Sequence, residues 1–244
     1  MRLNEIHAHG TAALHESAKS ECIPKAHGGG GRRTLLTMPL LLALLAALAQ
    51  PPADPAATAA ADLVEIVRLD PTIRLDIRYA TSNNFLGRPV YDEPRAFLQR
   101  PAAEALVRAH RRLKTKGYGI VVFDAYRPWR VTKLFWDATP PDKKQFVADP
   151  SQGSRHNRGC AVDVTLYDLR TGRLVQMPSE YDEMTVRASP SYRGGARKAR
   201  RLRDLLRRAM EAEGFTVYEH EWWHFDYKDW RRYPVLDLPF SELR

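Results

Sequence analysis

His156 and Asp163 lie seven residues apart in Ser154-Arg155-His156-Asn157-Arg158-Gly159-Cys160-Ala161-Val162-Asp163, and His224 follows about sixty residues later in Glu221-Trp222-Trp223-His224. Two imidazoles and a carboxylate make a ligand set that suits zinc, and a catalytic zinc site needs three protein ligands with a fourth position open to water. If these side chains share one ion, the fold must join two distant stretches of chain. Side chains on a strand alternate faces, so residues seven apart on one regular strand point oppositely. His156 is therefore expected in a loop, with Gly159 letting the backbone turn before Asp163 projects from a strand. Glu221 and His224, three apart, cannot both face one ion from a flat strand, so a bend is expected near Trp222. Glu221 stands where a base beside the reactive water is expected, and the set reads as a zinc hydrolase. A second reading has Glu221 only orienting a ligand or pairing with an arginine.

The chain has 244 residues, 44% of them hydrophobic, which suits one packed domain rather than two. Residues 1–49 read differently. Arg32-Arg33 precedes an apolar run from Thr34 to Ala49 that ends in Ala47-Leu48-Ala49, the pattern of a secretory signal peptide. The run is shorter than the roughly 20 apolar residues of a membrane span, so a stable span after cleavage is not expected. The arginine pair is compatible with twin-arginine export, and alone it does not choose a route. Residues 1–31 carry Glu5, Glu16, Glu21 and four histidines, unlike a signal n-region, so an over-extended N-terminus is expected. Cleavage near Gln50 removes five Lys/Arg and three Asp/Glu, taking the net charge from +9 to +7. It also removes Cys22, leaving Cys160 alone and no intrachain disulfide, so stability in an oxidising compartment must come from the core and a metal.

Residues 50–62 read as a Pro/Ala linker and 63–244 as the catalytic domain. Strand content is expected over Leu63–Leu69, and period-two alternation over Ile73–Tyr79, followed by loop chemistry at 83–89. A helix is expected with Pro101 in its first turn and Gly117 past its end, its inner stripe being Leu106, Val107, His110 and Leu113. Tyr118–Phe123 reads as a buried strand, Pro128–Trp136 as a helix, and Cys160–Tyr167 as a strand. The turn at 168–172 is expected to lead into a second hairpin arm over Arg173–Met177. Ala196–Glu213 reads as a basic amphipathic helix with Leu202, Leu205, Leu206 and Met210 inward, stopped by Gly214. Thr216–Tyr218 and Trp223–Tyr227 close the domain as strands. Without βαβ regularity, this order favours α+β with a central antiparallel sheet flanked by helices.

Arg127 follows a buried strand, is held by Pro128 and lies three residues from Asp124. A fixed cation there would stabilise an oxyanion, and the alternative is a structural Asp124–Arg127 pair. The residues Ser154-x-His156-x-x-Gly159-x-Ala161-x-Asp163 with Glu221-x-x-His224 resemble the metallopeptidases that cut D-Ala bonds and their hedgehog-type fold. Leu75-Asp76-Ile77-Arg78-Tyr79-Ala80-Thr81, Asp124-Ala125-Tyr126-Arg127-Pro128 and Glu221-Trp222-Trp223-His224-Phe225 extend the likeness to the D-alanyl-D-alanine dipeptidase (VanX-like) family, over about Leu63 to Tyr227. The resemblance implies one Zn2+ per chain on His156, Asp163 and His224, with Glu221 as general acid/base and Arg127 stabilising the transition state. It further implies Ser154 at the substrate's C-terminal end and Asp182 at its ammonium group with Tyr79 nearby; Asp124 is grouped with these on the substrate side. A small dipeptide is the expected partner, and the location periplasmic or secreted.

Two features depart from the family. Cys160 stands where relatives are expected to carry a serine or similar small residue, and reads as a buried filler rather than a thiol nucleophile or ligand. An export signal is not general in the family. The arginines of 197–208 read by default as a solvated face, with anionic cell-wall polymer or lipid headgroups as the rival partner; nucleic acid is not expected of an exported protein. Two other functions remain in view: a carboxypeptidase trimming longer muropeptides, and a non-catalytic, metal-stabilised binding domain. The sequence carries no signal for oligomeric state.

Overall fold

A computed structural model describes residues 50–244. The signal segment expected over 1–49 lies outside the described residues. The elements in chain order are β1 (Leu63–Glu65), a single helical turn α1 (Ile66–Leu69), β2 (Arg74–Leu75), β3 (Phe97–Gln99), α2 (Arg100–Lys114), β4 (Tyr118–Asp124), α3 (Trp129–Ala138), β5 (Ala161–Asp168), α4 (Arg197–Glu211), β6 (Phe215–Tyr218) and β7 (Glu221–Tyr227). Five strands form one sheet in the order β2-β4-β5-β7-β6, and β1 pairs with β3 in a second, two-stranded sheet. The architecture is α+β. The main sheet is mixed rather than purely antiparallel, because β2 runs parallel to β4 while the other pairs are antiparallel.

Pro101 sits in the first turn of α2, where its missing N–H has no intrahelical partner to lose. Leu106, Val107, His110 and Leu113 are buried along its inner face. His110 is structural: Ile120 N–H donates to its Nδ1 at 3.0 Å, and its Nε2 lies 2.9 Å from Thr72 Oγ1. Burial pushes its pKa down to about 4, so the ring is neutral at pH 7. Helix α4 buries Leu202, Leu206 and Met210, while Arg197, Lys198, Arg201 and Arg208 stay exposed. The two helices pack on each other and on the sheet, α2 against β4 and α4 against β5, β6 and β7.

Three expectations change. Ile66–Leu69 turns helical instead of extending β1, because β3 offers only Phe97–Gln99 as a pairing partner. The alternation over Ile73–Tyr79 reports burial more than pairing: Ile73, Ile77 and Tyr79 are buried, yet only Arg74 and Leu75 join the sheet and Arg78–Ala80 forms a 3-10 turn. The hairpin arm after β5 shrinks to one bridge, Tyr167 with Leu174, before the chain leaves the sheet.

The Pro/Ala segment is pinned at several points. Arg158 holds Asp54, the N–H groups of Thr58 and Ala59 both reach the Arg232 carbonyl at 2.9 and 2.8 Å, and Asp62 N–H donates to Gln99 Oε1 at 2.7 Å. No helix among the described residues is long and apolar enough to cross a membrane.

Candidate metal centre and substrate pocket

Asp163 on β5 lies directly opposite His224 on β7, so both side chains leave the same face of the sheet. Irregular pairing flanks them on both sides. Between β4 and β5 the register shifts at Val122–Asp124, which sets Asp124 rather than Phe123 opposite Asp163. Between β6 and β7, Val217 faces Phe225 but Tyr218 faces Glu221, so three residues of β7 bulge against a single step of β6. That bulge holds Trp222, Trp223 and His224, and it re-aims side chains as bulges beside active sites do.

His156 stands in a 3-10 turn (His156–Arg158) just before β5. Gly159 closes the turn at φ +65°, and a Cβ there would meet Leu63 Cδ2 at 2.4 Å. Strand β3 anchors this loop and the one after β4. Gln99 N–H donates to the Gly159 carbonyl at 2.8 Å, and Tyr126 N–H to the Phe97 carbonyl at 2.8 Å.

The inner atoms of the three side chains converge. His156 Nε2 lies 3.1 Å from His224 Nδ1 and 3.4 Å from Asp163 Oδ1, and His224 Nδ1 lies 3.0 Å from Asp163 Oδ1. Their outer atoms are each engaged. His156 Nδ1–H donates to the Ala125 carbonyl at 2.6 Å, His224 Nε2–H to Asp226 Oδ1 at 3.0 Å, and Tyr181 O–H to Asp163 Oδ2 at 2.9 Å. Those bonds fix the ring tautomers, leaving two nitrogen lone pairs and a carboxylate oxygen aimed at one point. Asp163 Oδ1 is buried without a hydrogen-bond partner. Three converging acceptors with no donor between them call for a cation. Ligands about 2.0–2.2 Å from a tetrahedral ion stand about 3.3–3.6 Å apart, close to the observed triangle, and an N,N,O set suits zinc. His156, Asp163 and His224 therefore fit a zinc ion.

A pocket opens over this triangle, lined among others by Tyr79, Arg127, Ser154, Arg155, Asp182 and Glu221. Glu221 lies 3.8 Å from His224 Nδ1. Burial, with further help from the nearby Asp163 and Asp182 carboxylates, pushes its pKa up to about 8. Arg127 is buried and donates from Nε and Nη2 to Asp124 Oδ2 at 3.0 and 2.7 Å. Burial works against its charge, yet Asp124 beside it outweighs that and holds the guanidinium protonated. Asp124 also accepts from Tyr91 O–H at 2.7 Å and from Ala125 N–H at 2.9 Å. It is fully buried beneath the pocket and does not line it, so its bonds run to Arg127 and to the loop rather than toward a substrate.

Asp182 occupies φ +60°, the only non-glycine residue with positive φ among the described residues. Such strain persists where surrounding bonds hold it. Tyr79 O–H donates to Asp182 Oδ1 at 2.9 Å, and Phe85 N–H to Oδ2 at 3.3 Å. Burial raises its pKa to about 7. Ser154 is buried, and its Oγ accepts from His156 N–H at 3.1 Å, keeping its own hydrogen for another partner. Cys160 is fully buried, and burial pushes its thiol far above the ordinary range, so it is not a nucleophile.

The structure brings Glu221, Arg127, Ser154, Asp182 and Tyr79 into one pocket with the three converging side chains, and sets Asp124 behind it. Sequence reasoning missed Asp226, Tyr181, the Ala125 carbonyl and Asn157, whose Nδ2 binds the Arg127 carbonyl and Thr132 Oγ1, both at 2.8 Å. Asp226 carried a signal, standing two residues after His224 on one strand and hence on the same face. Tyr181 carried none, since its reach to Asp163 depends on the path of a long loop.

Comparison with known proteins identifies the family of the chain. Residues 59–242 match a family model described as D-ala-D-ala dipeptidase. The chain is 33% identical over 180 residues to the D-alanyl-D-alanine dipeptidase of Escherichia coli K12, covering 74% of this chain and 92% of that protein. It is 36% identical over 190 residues to the D-alanyl-D-alanine dipeptidase of Enterococcus faecium, covering 68% and 92%. Among solved structures, a vancomycin-resistance D,D-dipeptidase, VanXYg, aligns at 22% identity over 55% of this chain and 52% of that one, with a TM-score of 0.39. With a family model spanning nearly the whole described domain and relatives matched over nine-tenths of their length, the chain belongs to the D-alanyl-D-alanine dipeptidase family of metallopeptidases.

Proposed function

We propose that this protein hydrolyses free D-alanyl-D-alanine with one zinc ion held by His156, Asp163 and His224. The observation that carries the proposal is the convergence of three acceptor atoms in a pocket that Glu221 also lines, its carboxylate 3.8 Å from His224 Nδ1. Zinc in that position supplies a Lewis acid and an acidified water.

The chain's own groups do the rest. Glu221 takes the proton of the attacking water and returns it to the amine that leaves, a task suited to a pKa near the working pH. Arg127, braced by Asp124 and packed over the Phe135 ring at 4.6 Å, faces the oxygen that becomes negative as the carbonyl is attacked. A rigid donor of this kind contributes about 3–4 kcal/mol to the transition state. Asp182, held by Tyr79 and Phe85, receives the substrate ammonium, and Ser154 donates toward the C-terminal end.

A free dipeptide places its ammonium close to the reacting bond, and a buried anion at that distance selects against acylated amines. Release of D-alanine from D-Ala-D-Ala and from its N-acetyl derivative tests this. The proposal predicts turnover of the first and near-complete loss with the second. Comparable cleavage of both would favour a carboxypeptidase for longer muropeptides, and cleavage of neither a metal-stabilised binding domain. The biological reading that follows is an exported or periplasmic enzyme that recycles cell-wall dipeptide or depletes the dipeptide that glycopeptide antibiotics recognise.

A further inference from the structure

The zwitterionic dipeptide carries a carboxylate as well as an ammonium, and the roles above leave that carboxylate with only a neutral hydroxyl. Arg127 is committed to Asp124 at the centre of the site. A second arginine lines the same pocket: Arg155, between Ser154 and His156. Its guanidinium lies over the Trp230 ring at 4.8 Å, and its side chain is 41% exposed, so it reaches the pocket from the rim. Its Nε is buried without a hydrogen-bond partner. The neighbouring acid, Asp226, stands 3.5 Å away and spends its Oδ1 on His224.

Contacts place Arg155 beside the His224 side of the metal triangle and Asp182 beside the Asp163 side. Asp182 follows Tyr181, which binds Asp163; Arg155 adjoins Asp226, which binds His224. Asp163 and His224 face each other across the triangle at 3.0 Å. The surroundings of the two groups, Tyr79 and Phe85 for one and Asp226 and Trp230 for the other, share no residue.

We propose that Arg155 is the residue that recognises the free carboxylate of the substrate, with the Ser154 hydroxyl beside it. This rests on the dipeptidase reading above. A guanidinium offers a planar fork matched to a carboxylate, and stacking on Trp230 restricts the fork before binding. Asp182 and Arg155 then measure the distance between the two charges of the substrate, which sets its length at two residues. A C-terminal amide or a chain extended beyond the second residue loses one of the two clamps.

The rival role is indirect: Arg155 steadies Asp226 and, through it, His224. Arg155→Gln separates the two, read as the KM for D-Ala-D-Ala and as the inhibition constant of D-Ala-D-Ala amide competing with it. The expected result is a rise of about 10- to 100-fold in KM with kcat and zinc content retained, while amide inhibition stays within about 3-fold of the wild type. Arg155→Lys should recover part of the loss. An unchanged KM overturns the assignment, as does an equal weakening of dipeptide and amide or a loss of zinc with a fall in kcat. If the wild-type protein releases no D-alanine, the dipeptidase reading fails and takes this inference with it. If the wild type turns over and Arg155→Gln matches it, only the inference fails.

Discussion

The two halves of the pocket are built by different means. The metal side rests on the sheet: Asp163 and His224 are cross-strand neighbours, and His156 is tied to them by a turn that β3 anchors. The substrate side rests on loops: Asp182 comes from the long segment between β5 and α4, and is held by Tyr79 and the Phe85 backbone. Tyr79 is in turn packed against Phe135 at 4.5 Å and Tyr91 at 5.7 Å. Sheet register fixes ligand positions to within a fraction of an ångström, as an ion at about 2 Å requires. A loop locked by aromatic packing suffices for an ammonium group, whose attraction to a carboxylate depends less sharply on angle. The difference predicts that damage to the sheet side removes chemistry, whereas damage to the loop side weakens binding.

The largest effect is expected at Glu221. Glu221→Ala should keep the zinc and lower kcat by about 10³-fold, with KM little changed, measured by D-alanine release beside metal analysis. Turnover near wild type would remove Glu221 from the chemistry. Next comes Arg127→Ala, expected to cost about 10²–10³-fold in kcat. It also leaves Asp124 buried without its countercharge, a loss of about 3–5 kcal/mol that thermal or denaturant unfolding would register. A stable variant of normal kcat would break the claim that the Asp124–Arg127 pair serves both fold and reaction.

On the loop side, Asp182→Asn should raise KM for D-Ala-D-Ala by about 10- to 100-fold while kcat falls less. The pH profile sharpens this. With its pKa raised to about 7 by burial, Asp182 is mostly protonated below that pH and mostly charged above it. Binding of the ammonium therefore weakens as pH falls through about 7, and kcat/KM should drop on that limb. In Asp182→Asn the component near 7 should disappear and leave the fall that Glu221 sets near 8; an unaltered profile would assign that component to another group. The smallest effect belongs to the N-terminal strap. Asp54→Ala removes its ion pair with Arg158 and should cost about 1 kcal/mol of stability with activity intact.

Much of this was legible in the chain itself. Helices α2, α3 and α4 and strands β4, β5 and β7 follow runs whose periodicity and Gly or Pro punctuation mark their ends within a residue or two. Short elements were not. Phe97-Leu98-Gln99 is too brief to show alternation, although it anchors both loops of the site. Ile66 and Val67 are β-branched but form a helical turn, because no neighbouring strand continues past Glu65. The pocket was legible where motif side chains line it and illegible where backbone groups shape it. The Ala125 carbonyl that orients His156 has no side-chain signature, and Asp124 looked like a substrate residue only because its burial is invisible in the sequence.

The convergence of His156, Asp163 and His224 on one ion is tested most directly by metal analysis of the purified domain, paired with D-alanine release before and after chelation. One zinc per chain is expected, absent from His224→Ala, with activity that vanishes on chelation and returns with added zinc. Undiminished release of D-alanine from protein stripped of metal would contradict the account.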